Sequence, residues 1–219
     1  SAEQIAGLKP DIVIADADWA RKNMDLMKDL DKAGIKYAAL NRPKWAVLAQ
    51  YLEKIGALSG RSKEAAQTLL LSEKSLYKSE IRSAKTKSMK VFVVAGADFS
   101  TCAADSWGAR LIGSTGARVM TDAGGTKIND FPWYIFYGPQ KLASEGKDAE
   151  VIITLRNIRR GVVSVSKEEI IKDLRFKDIP AVKNGMVWEM DEFDLMLPSI
   201  VRLDSSLLKC WQLIGNKAK

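Results

Sequence analysis

Arg156, Arg159 and Arg160 follow an apolar run that ends at Leu155. Guanidinium groups offer a rigid fork of donors to carboxylate, catecholate or phosphate oxygens. A cluster just past a strand's carboxyl end therefore suits an anionic ligand. The alternative is a solvated basic loop, and the sequence leaves both readings open. A second group, Phe131, Trp133, Tyr134, Phe136 and Tyr137, lies between Gly124-Gly125 and Pro139. Flat aromatic faces suit large chelates and macrocycles through stacking and cation–π contact. The same rings would also build a small core under a long loop. Trp133, Tyr134 and Tyr137 are read as ligand-facing, Phe131 and Phe136 as core. Phe99, just past another strand, is read as lining the same site, and Trp107, inside a helix, as core.

Other chemistry is narrowed by what is missing. The 219 residues contain no histidine, which excludes Ser-His-Asp and Cys-His catalysis, His-ligated haem and the usual His-containing zinc sites within this chain. Cys102 and Cys210 match no zinc or redox spacing and are expected to be buried free thiols, a disulfide being the alternative. Asp98, Asp105 and Asp122 fit no metal loop and read as caps or turns, as do Asp16 and Asp18. Gly113-Ser114-Thr115-Gly116 lacks the phosphate-loop lysine and precedes a strand, so it is not a nucleotide cradle. The net charge of +7 favours an anionic partner, yet the basic residues are dispersed and give no nucleic-acid patch. No apolar run approaches the ~18 residues of a membrane span.

The elements that must position these residues alternate along the chain. Short apolar runs at 11–15, 36–40, 91–95, 117–120 and 150–155 read as buried strands. Helical spacing occupies 19–32, closed by Gly34. A further helix follows Pro43 and is closed by Gly56 and Gly60. From Ser62 to about Lys85 no Gly or Pro appears, which predicts one long helix. Helices are also expected at 105–112, at 139–144 and over 195–213, the last with Pro198 in its first turn. Ser166-x-x-Glu169 is a capping box, and Asn184-Gly185 turns into an edge strand at 185–190. The stretch 121–138 reads as irregular. Alternating strands and helices imply parallel sheets covered on both faces. Ligands in such sheets sit beyond the carboxyl ends of the strands, which singles out 96–106, 121–138 and 156–162.

Several phrases resemble the periplasmic-binding family of ABC importers for ferric siderophores, haem and vitamin B12, of the long-helix-linked two-lobe type. Leu8-Lys9-Pro10-Asp11, leading into Ile12-Val13-Ile14, is similar to that family's phrase before a first-lobe strand. Lys147-Asp148-Ala149-Glu150-Val151-Ile152-Ile153 is similar to its second-lobe counterpart, and Ile179-Pro180-Ala181-Val182-Lys183-Asn184-Gly185-Met186-Val187-Trp188 to its near-terminal hairpin. The resemblance implies an α/β fold of two lobes with parallel sheets joined by one long helix. The first lobe, at 1–60, is incomplete, because the family has a further segment before the Leu8-Lys9-Pro10-Asp11 phrase. The linking helix would be 61–88 and the second lobe 89–219. It also implies permease docking through a carboxylate near Gln140. Here glutamine stands beside Lys141, and Glu145 is the substitute.

The expected function is that of a non-enzymatic, extracytoplasmic solute-binding protein. It captures a metal chelate (ferric siderophore, haem or corrinoid) in an interlobe cleft and delivers it to an ABC permease. No resident cofactor or protein metal ligand is expected. The protein is placed in the periplasm or outside the cell, with anchoring possible through a segment absent from this chain. The incomplete lobe would expose a sheet edge able to pair chains. The alternative is a surface or scaffold module that keeps the fold without transport. An enzyme on a similar scaffold would need metal-ligating cysteines, which the two unmatched ones do not supply.

Overall fold

The computed structural model describes residues 1–41, 47–84, 87–121, 126–128, 131–156, 163–197 and 199–215. The chain divides into two compact units, Ser1–Gln67 and Thr68–Lys219.

In the first unit, helix α1 (Ala2–Gly7) is fixed by a capping box between Ser1 and Gln4. Strands β1 (Val13–Asp16) and β2 (Tyr37–Leu40) form a two-stranded parallel sheet. Between them run α2 (Ala17–Lys22) and α3 (Met24–Lys32). The single helix expected over 19–32 is thus two, parted at Asn23, whose side-chain amide turns back to donate to the Trp19 carbonyl at 2.8 Å. Asp16 does cap α2, accepting from the Trp19 amide at 2.9 Å. Ala20, Met27 and Leu30 make the small core, flanked by Ile5, Val13, Ala15, Ile35 and Tyr37.

Helix α4 (Leu48–Ser59) ends at Gly60, whose φ of 69° is the left-handed conformation glycine adopts without a Cβ penalty. Gly56 does not end it, as expected, but lies buried inside it. A Cβ there would meet the Ala65 Cβ at 2.6 Å and the Ser62 Cα at 3.1 Å. The missing side chain is what lets α4 approach the start of α5. Helix α5 (Ser62–Ser83) is the long element predicted, and the division between units runs through it after Gln67.

The second unit is built on a four-stranded parallel sheet in the order β5-β3-β8-β9: Arg118–Val119, Lys90–Val94, Val151–Arg156 and Val187–Asp191. Its central strands are covered on both faces, and Val91 to Ala95 and Val151 to Ile153 are wholly buried. That is the burial expected of parallel strands flanked by helices. The 185–190 run pairs parallel to β8, at the sheet edge, after the short helix α9 (Pro180–Lys183) and a turn in which Gly185 has φ 65°. The family-like phrase there is a helix–turn–strand and not a hairpin.

Three further elements correct the reading. The stretch expected to be irregular contains an antiparallel pair, β6 (Thr126–Ile128) with β7 (Phe131–Phe136), and β7 also pairs with β4 (Thr101–Cys102). Helix α6 (Trp107–Gly113) is capped by Ser106, accepting from the Ala109 amide at 3.1 Å, and not by Asp105. The long final helix is a helical turn α10 (Glu192–Leu195), a 3₁₀ turn Ile200–Arg202, α11 (Leu203–Cys210) and a π turn Trp211–Gly215. Helices α7 (Pro139–Ser144) and α8 (Lys167–Lys172) fall where expected, and Ser166 and Glu169 form both halves of their capping box. No described helix is long and apolar enough to cross a membrane.

Candidate functional site

The parallel sheet of the second unit delivers its strand ends to one edge. Arg156 is the last residue of β8, and the register sets it beside Asp191, the last of β9. The guanidinium meets the Asp191 carboxylate at 2.9 Å, with both side chains still substantially in solvent. The chain beyond β8 returns toward the loop beyond β3, where the Ala97 amide donates to the Val163 carbonyl at 2.9 Å. Val163 itself is exposed. Two residues past β9, Phe193 is 45% exposed, and the Arg202 guanidinium lies 5.7 Å from its ring centroid. Arg202 also reaches the Asp194 carboxylate at 3.7 Å. Asp194 is nearly buried and is contacted by the Lys209 ammonium as well.

This edge therefore combines cationic groups held by carboxylates with an exposed aromatic ring and apolar neighbours. Such a surface suits a ligand with anionic oxygens and a flat or apolar face. Phe193 and Arg202 were not singled out from sequence. Their only signal was position, just beyond the 185–190 strand.

The residues expected to bind separate into three groups. Phe99, Tyr134 and Tyr137, expected to face a ligand, are buried among the core side chains. Phe99 retains 7% exposure, with its ring 5.5 Å from that of Phe176. Its φ of 51° is uncommon for a residue with a Cβ. The turn there is closed by the Asp98 carboxylate accepting from the Ser100 amide at 3.1 Å and from its hydroxyl at 2.9 Å. Tyr134 is wholly buried, and its hydroxyl donates to the carboxylate of Glu192, itself 1% exposed. The Tyr137 ring packs 4.9 Å from that of Phe92, tilted by 56°, with Lys141 above it. Burial, and then the charge of Glu145, push its phenol up to about 12.

Trp133 and Arg156 stay at least partly open: Trp133 is half-buried on β7, and Arg156 is exposed at its strand end. Arg159 and Arg160 lie outside the described residues, as does Asp122. Of the expected docking residues, Gln140 is exposed on α7 and Glu145 is exposed at its carboxyl end.

Cys102 and Cys210 are free and buried, and burial raises both thiols to about 12, leaving them protonated at neutral pH. Among the described residues no group of three or more histidines, cysteines, aspartates or glutamates is placed to hold a metal ion.

A family model described as "Periplasmic binding protein" matches residues 1–192. No curated protein matches the sequence. Solved structures do. A Staphylococcus epidermidis protein described as a possible iron-binding (periplasmic solute-binding) protein superposes with a TM-score of 0.77 at 20% identity, over 98% of this chain and 80% of its own. S. aureus IsdE complexed with heme gives 0.71 at 19%, over 97% and 80%. A periplasmic heme-binding protein from Pseudomonas aeruginosa gives 0.75 at 18%, over 100% and 77%. At these identities the likeness establishes the fold.

Proposed function

The chain belongs to the periplasmic binding protein family, and from that premise we propose that it is the extracytoplasmic solute-binding component of an ABC importer for a metal chelate. The observation that carries this reading is the edge of the second unit's sheet. There, Arg156 and Asp191 end adjacent strands, and Phe193 lies exposed beneath the Arg202 guanidinium. The cargo is anionic and arrives with its metal already chelated. Supporting this, the chain has no histidine and both of its thiols are buried. A ferric siderophore needs no protein ligand to its metal, whereas haem held by a histidine of this chain is excluded because the chain has none. Binding is non-enzymatic, by charge-assisted hydrogen bonds and ring contact. Of the expected aromatics, Trp133 keeps accessible surface, and Arg159 and Arg160 would extend the cationic rim. Delivery to a membrane permease would use the exposed surface of Gln140 and Glu145.

Tryptophan fluorescence of this chain, titrated with ferric siderophores, haem and cobalamin, tests the reading. Saturable quenching by a ferric siderophore is expected, with Arg156→Ala weakening it about tenfold, the scale of one charge-assisted hydrogen bond of ~1.5 kcal/mol. Quenching by no chelate, in this chain or in any longer form of it, would leave a non-transport module on the same fold as the better account.

A further inference from the structure

The cations of the sheet edge are not equivalent. Arg156 engages Asp191 directly, hydrogen-bonding its carboxylate at 2.9 Å. Asp191 meets no second cation among the described residues, so that pair is matched one to one. Asp194 is shared. Its side chain is 7% exposed, the Lys209 ammonium hydrogen-bonds it, and the Arg202 guanidinium approaches it only to 3.7 Å. That separation makes an ion pair but is too long for a hydrogen bond. Among the described residues the Arg202 guanidinium makes no hydrogen bond at all. It is kept in place by the face of Phe193 and by the field of a carboxylate that Lys209 already neutralises. One carboxylate facing two cations leaves one positive charge in excess. The guanidinium, 55% exposed and with its donors unengaged, is where that charge meets solvent. The turn itself supports this placement. Glu192 and Asp194, on either side of Phe193, are both buried, and Glu192 accepts from the Tyr134 hydroxyl. The two carboxylates turn inward and the ring between them turns out.

We propose that Arg202 is the charge-reading group of this edge, released for that role by the Lys209–Asp194 pair, and that it selects ferric chelates of net negative charge, of the tris-catecholate class, over neutral tris-hydroxamate chelates. This selectivity rests on the proposed chelate function and sharpens it. In a ferric tris-catecholate the phenolate oxygens outweigh the charge of the iron; in a ferric tris-hydroxamate the oxygens balance it. The guanidinium fork takes two such oxygens at once. Alternatively its outer plane lies on an aromatic ring of the ligand, with Phe193 on its inner side. A hydroxamate offers neither the excess charge nor the ring. Lys209 is a positioning residue: by holding Asp194 it leaves the Arg202 donors to the ligand.

Fluorescence titration of the 219-residue chain with one ferric tris-catecholate and one ferric tris-hydroxamate, at one fixed low salt concentration, tests the proposal. Far-UV circular dichroism is the folding control. The wild type should bind the catecholate about tenfold more tightly or better. Arg202→Ala should weaken the catecholate about thirtyfold, the scale of hydrogen bonds to a charged group, and the hydroxamate less than about threefold. Arg202→Lys keeps the charge without the fork and should recover only part of the loss. Lys209→Met should return Arg202 to Asp194 and weaken the catecholate about fivefold, and that loss should vanish in an Arg202→Ala background. A preference for the hydroxamate overturns the proposal. So do equal losses for the two chelates in Arg202→Ala, or a Lys209→Met loss that persists without Arg202; each of these leaves chelate binding itself intact. Binding of neither chelate overturns the chelate function and this selectivity with it.

Discussion

The two units begin from similar strands and bury them differently. β1 continues the run Asp11-Ile12-Val13-Ile14-Ala15, and β3 opens Val91-Phe92-Val93-Val94-Ala95. As sequence, both are short apolar runs of the kind read as buried parallel strands. In the second unit every residue from Val91 to Ala95 is wholly buried, whereas in the first no residue of β1 is buried and Ile14 is 41% exposed. The difference lies in the layers and not in the strands. β3 has a strand on each side and helices over both faces. Among the described residues β1 has one neighbour, β2, and its core of Ala20, Met27 and Leu30 packs against it. An apolar strand sequence states a capacity for burial; the number of neighbouring elements decides how much of it is used.

The largest effect expected from this contrast is at Phe92. Its ring is wholly buried and packs at a tilt against Tyr137. Phe92→Ala should cost about 3–5 kcal/mol, transfer loss plus cavity. Ile14→Ala, on the open face of β1, should cost less than about 1 kcal/mol. Urea denaturation of the two variants measures both. Equal losses would mean that the exposed face of β1 is covered in solution, and the contrast between the units would fail.

Within the first unit the sharpest constraint is a missing side chain. Gly56→Ala places a Cβ 2.6 Å from the Ala65 Cβ and 3.1 Å from the Ser62 backbone, neither of which is the far end of a flexible chain. Alanine is otherwise the better helix former by ~1 kcal/mol. The overlap should outweigh that gain and leave a net loss of about 1–2 kcal/mol by the same denaturation assay, in line with overpacking. A stabilised variant would show that α4 and α5 separate readily, and that the first unit is looser than its close approach implies.

Strand and helix order was largely legible because parallel strands and long helices write themselves in local patterns. The runs at 91–95 and 150–155, the Gly- and Pro-free stretch of α5 and the Ser166–Glu169 box each carry their own instruction. What failed depended on partners far away in sequence. β7 contains Pro132 and consecutive aromatics with no clean alternation, so its pairing with β4 and β6 had no local mark. Tyr134 read as ligand-facing because rings in a glycine- and proline-bounded stretch suit a binding loop. Its burial rests on Glu192, which no spacing connects to it. Of the candidate site, Arg156 was legible from its strand end. Its ion pair with Asp191 follows from strand register, and Phe193 and Arg202 from the path of the chain after β9, neither of which a linear pattern contains.

The smallest expected effect separates the electrostatics of the two units. The first unit's ion pairs Lys28–Asp25 and Lys32–Asp29 are exposed pairs within one helix. In the second unit Glu150, just ahead of β8, accepts from the Lys90 amide at 2.9 Å and the Lys87 ammonium at 3.2 Å, joining the starts of two sheet strands. The backbone hydrogen bond from Lys90, helped by Lys87, holds its carboxyl below the usual glutamate value of 4.5. A depressed acid lends stability that is present above the unfolded value and is lost as pH falls through the folded one. Wild type should therefore exceed Glu150→Gln at pH 7, by less than about 1 kcal/mol because the carboxylate is partly exposed and its Lys87 partner is in solvent. The margin should shrink below pH 4.5 and vanish as the carboxyl protonates. Asp25→Asn, which removes an exposed pair within one helix, should show a smaller margin at pH 7. Thermal melts of the three proteins across this range decide it; a margin for Glu150→Gln that ignores pH would mean that the side chain's shape, and not its charge, joins the strands.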